Sequence, residues 1–351
     1  MDLQELLKTV IDCNASDLHL CTGLPPIIRI NNKLEKLGDK ALSAEDIAKE
    51  IPRIIANRKI DLQSLKEIDF SMEFQDVARF RVNIYRDTKG ICLAFRYIPS
   101  RIKTFEELGL PKSIEPVSHL HRGLVVVTGI TGSGKSTTLA SIINKITKER
   151  NAHIITIEDP IEFIYAHNNC IINQREIGTH TPSFADALRA ALREDPDIIL
   201  VGELRDLDTI SMAITAAETG HLVLATLHTR GAAQTIDRMI DVFPPHQQEQ
   251  IRTQLADVLE MVISQVLVPS HDGKTRYLAS EIMRITPAIK HLIREKKAFQ
   301  IKNEIETGKQ EGMHTLDNSL QELVNAGKIS LELALPWVND KKHFAAYNQI
   351  Q

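Results

Sequence analysis

Eight residues, Gly129-Ile130-Thr131-Gly132-Ser133-Gly134-Lys135-Ser136, carry glycines, a lysine and a hydroxyl at the G-x-x-x-x-G-K-[ST] spacing that holds phosphate. The glycines permit backbone conformations closed to other residues, so successive N–H groups can converge on phosphate oxygens at the positive end of a following helix. In this reading Gly129, Thr131, Gly132, Ser133, Gly134 and Thr137 line the phosphates, Lys135 reaches the outer ones, and the Ser136 hydroxyl ligates Mg²⁺.

Three further polar stretches supply candidate groups. Glu158-Asp159-Pro160-Ile161-Glu162 puts three carboxylates in five residues, either as groups that orient and deprotonate a water or as a solvated acidic turn. Gly202-Glu203 closes an apolar run on an acid suited to the Mg²⁺ side of a phosphate site. The acid stands one position later than the usual aspartate, so it would more naturally reach the metal through a water. His228 follows another apolar run, where a sensor of the outermost phosphate would sit. His221, at the opposite end of that run, is too far away for the pair to share a metal.

These groups need a scaffold that presents strand ends. Leu124–Thr128, His153–Ile157, Ile198–Val201 and Leu222–Thr226 are continuous apolar runs separated by helical patterns, which predicts an α/β fold with a buried parallel sheet. Ligands of such sheets bind at the carboxyl ends of the strands, where all the candidate groups fall. Leu207–Thr219 reads as a helix ended by Gly220. Ile251, Leu255, Val258, Val262 and Val266 read as one helical stripe, and Tyr277–Met283 as a last strand. Residues 287–351 read as three or four short helices, with a cap at Thr315.

The first hundred residues read as a smaller α+β domain. Helical spacing at Leu3, Leu6, Leu7, Val10 and Ile11 precedes strands at 17–20, 27–30 and 33–34, with a hairpin turn at Asn31-Asn32. Further alternating strands follow at 69–74, 78–85 and 91–98. Arg79, Arg81 and Arg96 alternate with Phe80, Val82, Phe95 and Tyr97 and so share the polar face. That face is either solvated or presented to a nucleotide. The proline-punctuated stretch 99–115 predicts a linker. The expected division is 1–98, linker 99–115, core 116–285 and helical subdomain 286–351.

Bulk properties narrow the classes. A net charge of −4 and a pI near 6.4 give no general affinity for nucleic acid or anionic membrane. The four cysteines, Cys13, Cys21, Cys92 and Cys170, form no C-x-x-C pair, which argues against a zinc ribbon, and the size of the chain argues against a disulfide framework. Neither a signal peptide nor a run of about 18 apolar residues is found, so a cytosolic location is expected.

Taken together, the glycine loop, the box Thr156–Glu162, the stretch Asp195–Asp206 and the histidine box Thr219–Thr229 resemble the bacterial secretion-type ATPases. Ala15–Leu20 and Ala78–Asn83 extend the resemblance into the N-terminal domain. Ala288-Ile289-Lys290-His291-Leu292-Ile293-Arg294-Glu295 is similar to the AIRNLIRE motif of the type IV pilus retraction ATPases, with departures at Lys290 and His291. The missing cysteine pairs and the lack of an additional N-terminal domain fit that branch.

The resemblance implies a PAS-like N-terminal domain, a RecA-like core and a homohexamer that hydrolyses ATP between its domains to retract pili. It implies Glu162 as catalytic base, Glu203 as Mg²⁺-side acid, and Arg81 and Arg96 as arginines that reach the nucleotide. The implied partners are an inner-membrane platform protein and, through it, the pilin filament, at the cytoplasmic face of the inner membrane. The rival readings are a related motor for pilus assembly or DNA, a ring subunit that binds ATP without turnover, and a small-molecule kinase. Exchange of Glu162 for glutamine is expected to abolish ATP turnover; a wild-type rate in a phosphate-release assay would remove Glu162 from the role of base.

Overall fold

A computed structural model describes residues 2–30, 33–55, 66–75, 78–99, 101–341 and 344. By internal contacts the chain forms two units, Met1–Arg101 with Pro160–Ile164, and Ile102–Asp159 with Tyr165–Gln351.

The first unit opens with helix α1 (Leu3–Asp12), whose N-terminus is capped by Asp2. Strands β1 (Asp17–Leu20), β2 (Ile27–Ile30) and β3 (Lys33–Lys36) follow, then the short helices α2 (Ala44–Ala48) and α3 (Ile51–Ile55). Strands β4 (Glu67–Phe74), β5 (Ala78–Asp87) and β6 (Gly90–Pro99) complete it. Ser43 and Asp46 form a capping box at α2. The six strands make an antiparallel sheet ordered β3-β2-β1-β6-β5-β4, a PAS-like order with one added edge strand. The β2–β3 pairing is the expected hairpin, though its turn, Asn31-Asn32, lies outside the described residues. Alternation along β5 buries Phe80, Val82 and Ile84 and turns Arg79, Arg81 and Asn83 to the other face. Phe80 packs edge-on against Phe74 and Phe95, with ring centroids 6.1 and 6.4 Å away.

The second unit opens at Ile102, within the stretch 99–115. Thr104 caps α4 (Phe105–Leu108) with a capping box, Gly109 closes it at φ 68°, and a 3₁₀ turn follows at Lys112–His119. Phe105, Ile114 and Val117 are buried, so this stretch packs within the second unit. Conversely, Pro160–Ile164 groups with the first unit, where the Ser71 hydroxyl donates to the Ile161 carbonyl at 3.1 Å.

The remaining elements of this unit alternate. They are β7 (Gly123–Thr128), α5 (Lys135–Glu149), β8 (His153–Glu158), β9 (Ile171–Glu176), α6 (Phe184–Ala191), β10 (Ile198–Val201), α7 (Leu207–Glu218) and β11 (Leu222–Leu227). Then come α8 (Ala232–Asp241), α9 (Gln248–Val258), β12 (Leu259–Pro269), β13 (Arg276–Arg284), α10 (Pro287–Arg294), α11 (Ile301–Thr307), α12 (Leu316–Asn325) and α13 (Leu331–Ala334). The sheet order is β13-β12-β7-β11-β10-β8-β9, parallel from β12 to β9 and antiparallel only at β13. Leu124 and Val126 of β7 share one core with residues of α6 to α9, while α5 also packs on β7.

One expectation is corrected. Ile251, Leu255 and Val258 lie on α9, but Val262 and Val266 belong to β12. Steps of four keep residues on one face of a strand as well as of a helix, and the β-branched Val262, Ile263, Val266 and Val268 favour the strand. Strand β9 was not expected. It is an edge strand whose Ile171 is 63% exposed and whose Asn173, Gln174 and Arg175 hide the apolar signal.

Phe80→Ala is expected to destabilise the first unit by about 3–5 kcal/mol, read from the urea midpoint by circular dichroism. A loss under about 1 kcal/mol would mean that the aromatic cluster is not what holds this sheet.

Candidate nucleotide-binding site

Strand β7 delivers the chain into the glycine loop, and α5 carries it away. Three backbone conformations make the loop possible: φ is +146° at Gly129, +78° at Gly132 and +90° at Gly134. A Cβ at Gly129 would stand 2.6 Å from Ser133 Oγ and closer still to the Gln265 carbonyl oxygen, so only glycine fits. Gly134 is the N-cap of α5 and has no side chain to cap it, which leaves the first N–H groups of the helix for an anion. Thr131 and Gly132 are exposed, Ser133 is buried, and Ser136 and Thr137 are half-buried on the first turn.

Lys135 is buried. Its Nζ donates to the carbonyls of Gly129 at 3.0 Å and Ile130 at 3.2 Å and stands 3.4 Å from His228 Nδ1. His228 Nε2 lies 3.3 Å from Glu203 Oε1, and Glu203 Oε2 accepts from Arg205 at 2.7 Å. Burial raises the Glu203 pKa, but the Arg205 hydrogen bond and the charges of His228 and Arg205 outweigh it and hold the carboxyl below its usual range.

The ends of β7, β10 and β11 thus bring together Lys135, Glu203 and His228. Glu158 ends β8, is buried, and accepts from Thr156 Oγ1 at 2.7 Å and Gln174 Nε2 at 3.3 Å. Glu162 is half-buried in an irregular segment that belongs to the first unit, as do Arg81 and Arg96. There Arg81 pairs with Asp69, Arg96 gives its Nε–H to Asp17 at 2.9 Å, and Arg79 stands 3.5 Å from Glu73.

Sequence reasoning missed the groups that hold the loops. Thr128 Oγ1 and Thr229 Oγ1 share a 2.7 Å hydrogen bond, and Thr229 N donates back to Thr128 Oγ1 at 2.9 Å. Gly231 N donates to Ser264 Oγ at 3.0 Å, and Ala232 N donates to Glu281 Oε1 at 2.8 Å. Gln265 Nε2 donates to the Ser133 carbonyl at 2.7 Å. The available signal was the polar pair Ser264-Gln265 inside the apolar run 259–268.

A glycine-rich loop between a buried parallel strand and a helix, on a sheet of this order, defines a P-loop nucleotide-binding core of the RecA-like kind. The family model described as "Type II/IV secretion system protein" matches residues 2–334, and the chain belongs to that family. It is 49% identical over 335 residues to the "Type IV pilus retractation ATPase PilT" of Pseudomonas aeruginosa, covering 95% of this chain and 97% of the relative. It is 50% identical over 311 residues to a "Twitching motility protein" of Neisseria gonorrhoeae, covering 88% of this chain and 83% of the relative. The crystal structure described as the "Pilus Retraction Motor PilT and Bound ADP" superimposes with a TM-score of 0.89 at 43% identity, covering 98% of each chain.

Arg205→Met removes the hydrogen bond that most lowers the Glu203 pKa. The folded-state pKa should rise, so the acid limb of the ATPase pH–rate profile is expected to move to higher pH. An acid limb left in place would mean that ionised Glu203 is not needed for turnover.

Proposed function

We propose that this chain is a nucleotide-hydrolysing motor that powers the retraction of type IV pili. The observation that carries the reading is the likeness over 95% of the chain to a pilus retraction ATPase, joined to a phosphate loop whose Lys135 stands against His228 and Glu203.

The chemistry is in-line attack of water on the terminal phosphorus of ATP, releasing ADP and phosphate. The N–H groups of Gly132 to Ser136 hold phosphate oxygens, and Thr131 and Thr137 line them. Lys135 moves from the Gly129 and Ile130 carbonyls to the outer phosphates, an exchange of neutral acceptors for charged ones. His228 senses the outermost phosphate, since it already sits between Lys135 and Glu203. Glu162 takes the proton from the attacking water, and Arg81 and Arg96 offset phosphate charge in the assembled ring. A hydroxyl and a carboxylate, from Ser136 and Glu203, are the hard oxygen donors that Mg²⁺ accepts. That ion supplies charge neutralisation along the phosphates.

The working assembly in this reading is a homohexamer that acts on an inner-membrane platform protein, and through it on the pilin filament. Among the described residues no helix is long and apolar enough to cross a membrane, which suits a peripheral position at the cytoplasmic face.

Lys135→Ala should abolish hydrolysis. Cells carrying it are expected to show abundant surface pili by electron microscopy together with lost surface motility, because filaments are built and not withdrawn. Few or no pili would make the chain an assembly motor, and unchanged pili and motility would withdraw the assignment.

A further inference from the structure

Gln265 lies near the middle of β12, 1% exposed, and both ends of its amide are used inside the protein. Nε2 donates to the Ser133 carbonyl at 2.7 Å, and Oε1 accepts from Thr138 Oγ1 at 2.9 Å. Ser133 belongs to the phosphate loop and Thr138 to the first turns of α5, while the backbone carbonyl of Gln265 presses on Gly129. One residue of a neighbouring strand therefore touches the loop at its entry and near its exit, and the helix beyond it.

The orientation of the amide is fixed by its partners. A backbone carbonyl only accepts, so the NH₂ group must face Ser133, and the Thr138 hydroxyl then donates to the remaining oxygen. The bond matters because of what the loop has to do. An anion cradle built from N–H groups turns its carbonyls the other way, and a buried carbonyl without a donor is costly. Gln265 supplies that donor for Ser133, whereas Lys135 answers the carbonyls of Gly129 and Ile130.

We infer that Gln265 is a positioning residue for nucleotide: by holding the Ser133 carbonyl outward it keeps the loop N–H groups aimed at phosphate before the nucleotide arrives. Gln265 itself touches the loop and not the phosphates. The inference rests on the nucleotide-hydrolysing reading given above. Its signature is an affinity effect, because a loop that spends only part of its time in the competent form lowers apparent affinity by that fraction.

The test is ADP titration by calorimetry on the full-length protein, with the thermal midpoint of the nucleotide-free protein measured beside it. ADP binding by the wild-type chain tests the nucleotide reading itself; the ratio of variant to wild type tests Gln265. Gln265→Met fills the space without either hydrogen bond and is expected to weaken ADP binding about tenfold. Thr138→Val keeps volume and removes only the hydroxyl that orients the amide, with an expected loss of about threefold.

Gln265→Glu separates positioning from packing. The ionised carboxylate has no proton for Ser133, but the acid form does, and burial pushes a carboxyl pKa up. Relative to wild type at each pH, its ADP affinity should recover as the pH falls from about 8 to about 6. Wild-type ADP affinity in folded Gln265→Met and Thr138→Val would overturn the inference, as would a Gln265→Glu deficit that is the same at both pH values.

Discussion

The structure depends on the packing of Gly129 against the Gln265 carbonyl, with no room for a single methyl group between them. A backbone that binds anions must show its N–H groups on one side and find donors for its carbonyls on the other. Space on the far side is therefore as constrained as space on the phosphate side. Strand β12 fills it, and its parallel pairing with β7, through Ser264 against Thr128, sets the distance. The glycines of the motif are usually explained by what approaches from the ligand side. Here the first of them is required by what lies behind.

From that contact the rest of the site follows as a set of loops tied to neighbouring strands. Thr128 at the end of β7 holds Thr229, the residue after His228, through hydrogen bonds to its hydroxyl, its carbonyl and its N–H. Ser264, next to Gln265 on β12, takes the N–H of Gly231, and Glu281, its cross-strand partner on β13, takes that of Ala232. Adjacent residues of one strand thus hold the phosphate loop and the histidine loop. Burial dominates and holds the Glu281 pKa above its usual range, against the backbone N–H groups of Ala232 and Leu316 at the starts of α8 and α12, which favour the ionised form. This one side chain accepts at two helix starts at once, which links the histidine loop to the C-terminal helices.

What could be read from the sequence follows from how local each signal is. The glycine loop, the four central strands and the Thr315 cap each depend on a few consecutive residues, and all are present. The division between α9 and β12 was hidden because Val258, Val262 and Val266 fit both periods. The stretch 99–115 reads as a linker because proline and glycine punctuate it, and the burial of Phe105 and Ile114 is not a local signal. Lys135, Glu203 and His228 were legible as strand-end groups; their contact was not, since it requires the strand order β7-β11-β10. Gln265, Ser264 and Glu281 gave no motif, because their role lies in partners more than 30 residues away.

The arginine face of the first unit raises a question of charge. Arg81 and Arg96 stand directly opposite each other on β5 and β6, a cross-strand pair of like charges that is unfavourable by itself. Asp69 pairs with Arg81 and Asp17 with Arg96, while Asp17 also lies 3.8 Å from Arg29. Two acids thus set against the pair allow both guanidinium groups on one face. Such pairing does not remove an arginine from service to a phosphate. A guanidinium has five N–H donors in a fixed plane, and one acid cannot take them all. Arg96 engages Asp17 through Nε, with its side chain 66% exposed, so the terminal nitrogens extend beyond the ion pair. The aspartate fixes the plane of the guanidinium through Nε. An acid beside each arginine therefore keeps two positive charges together on one sheet face.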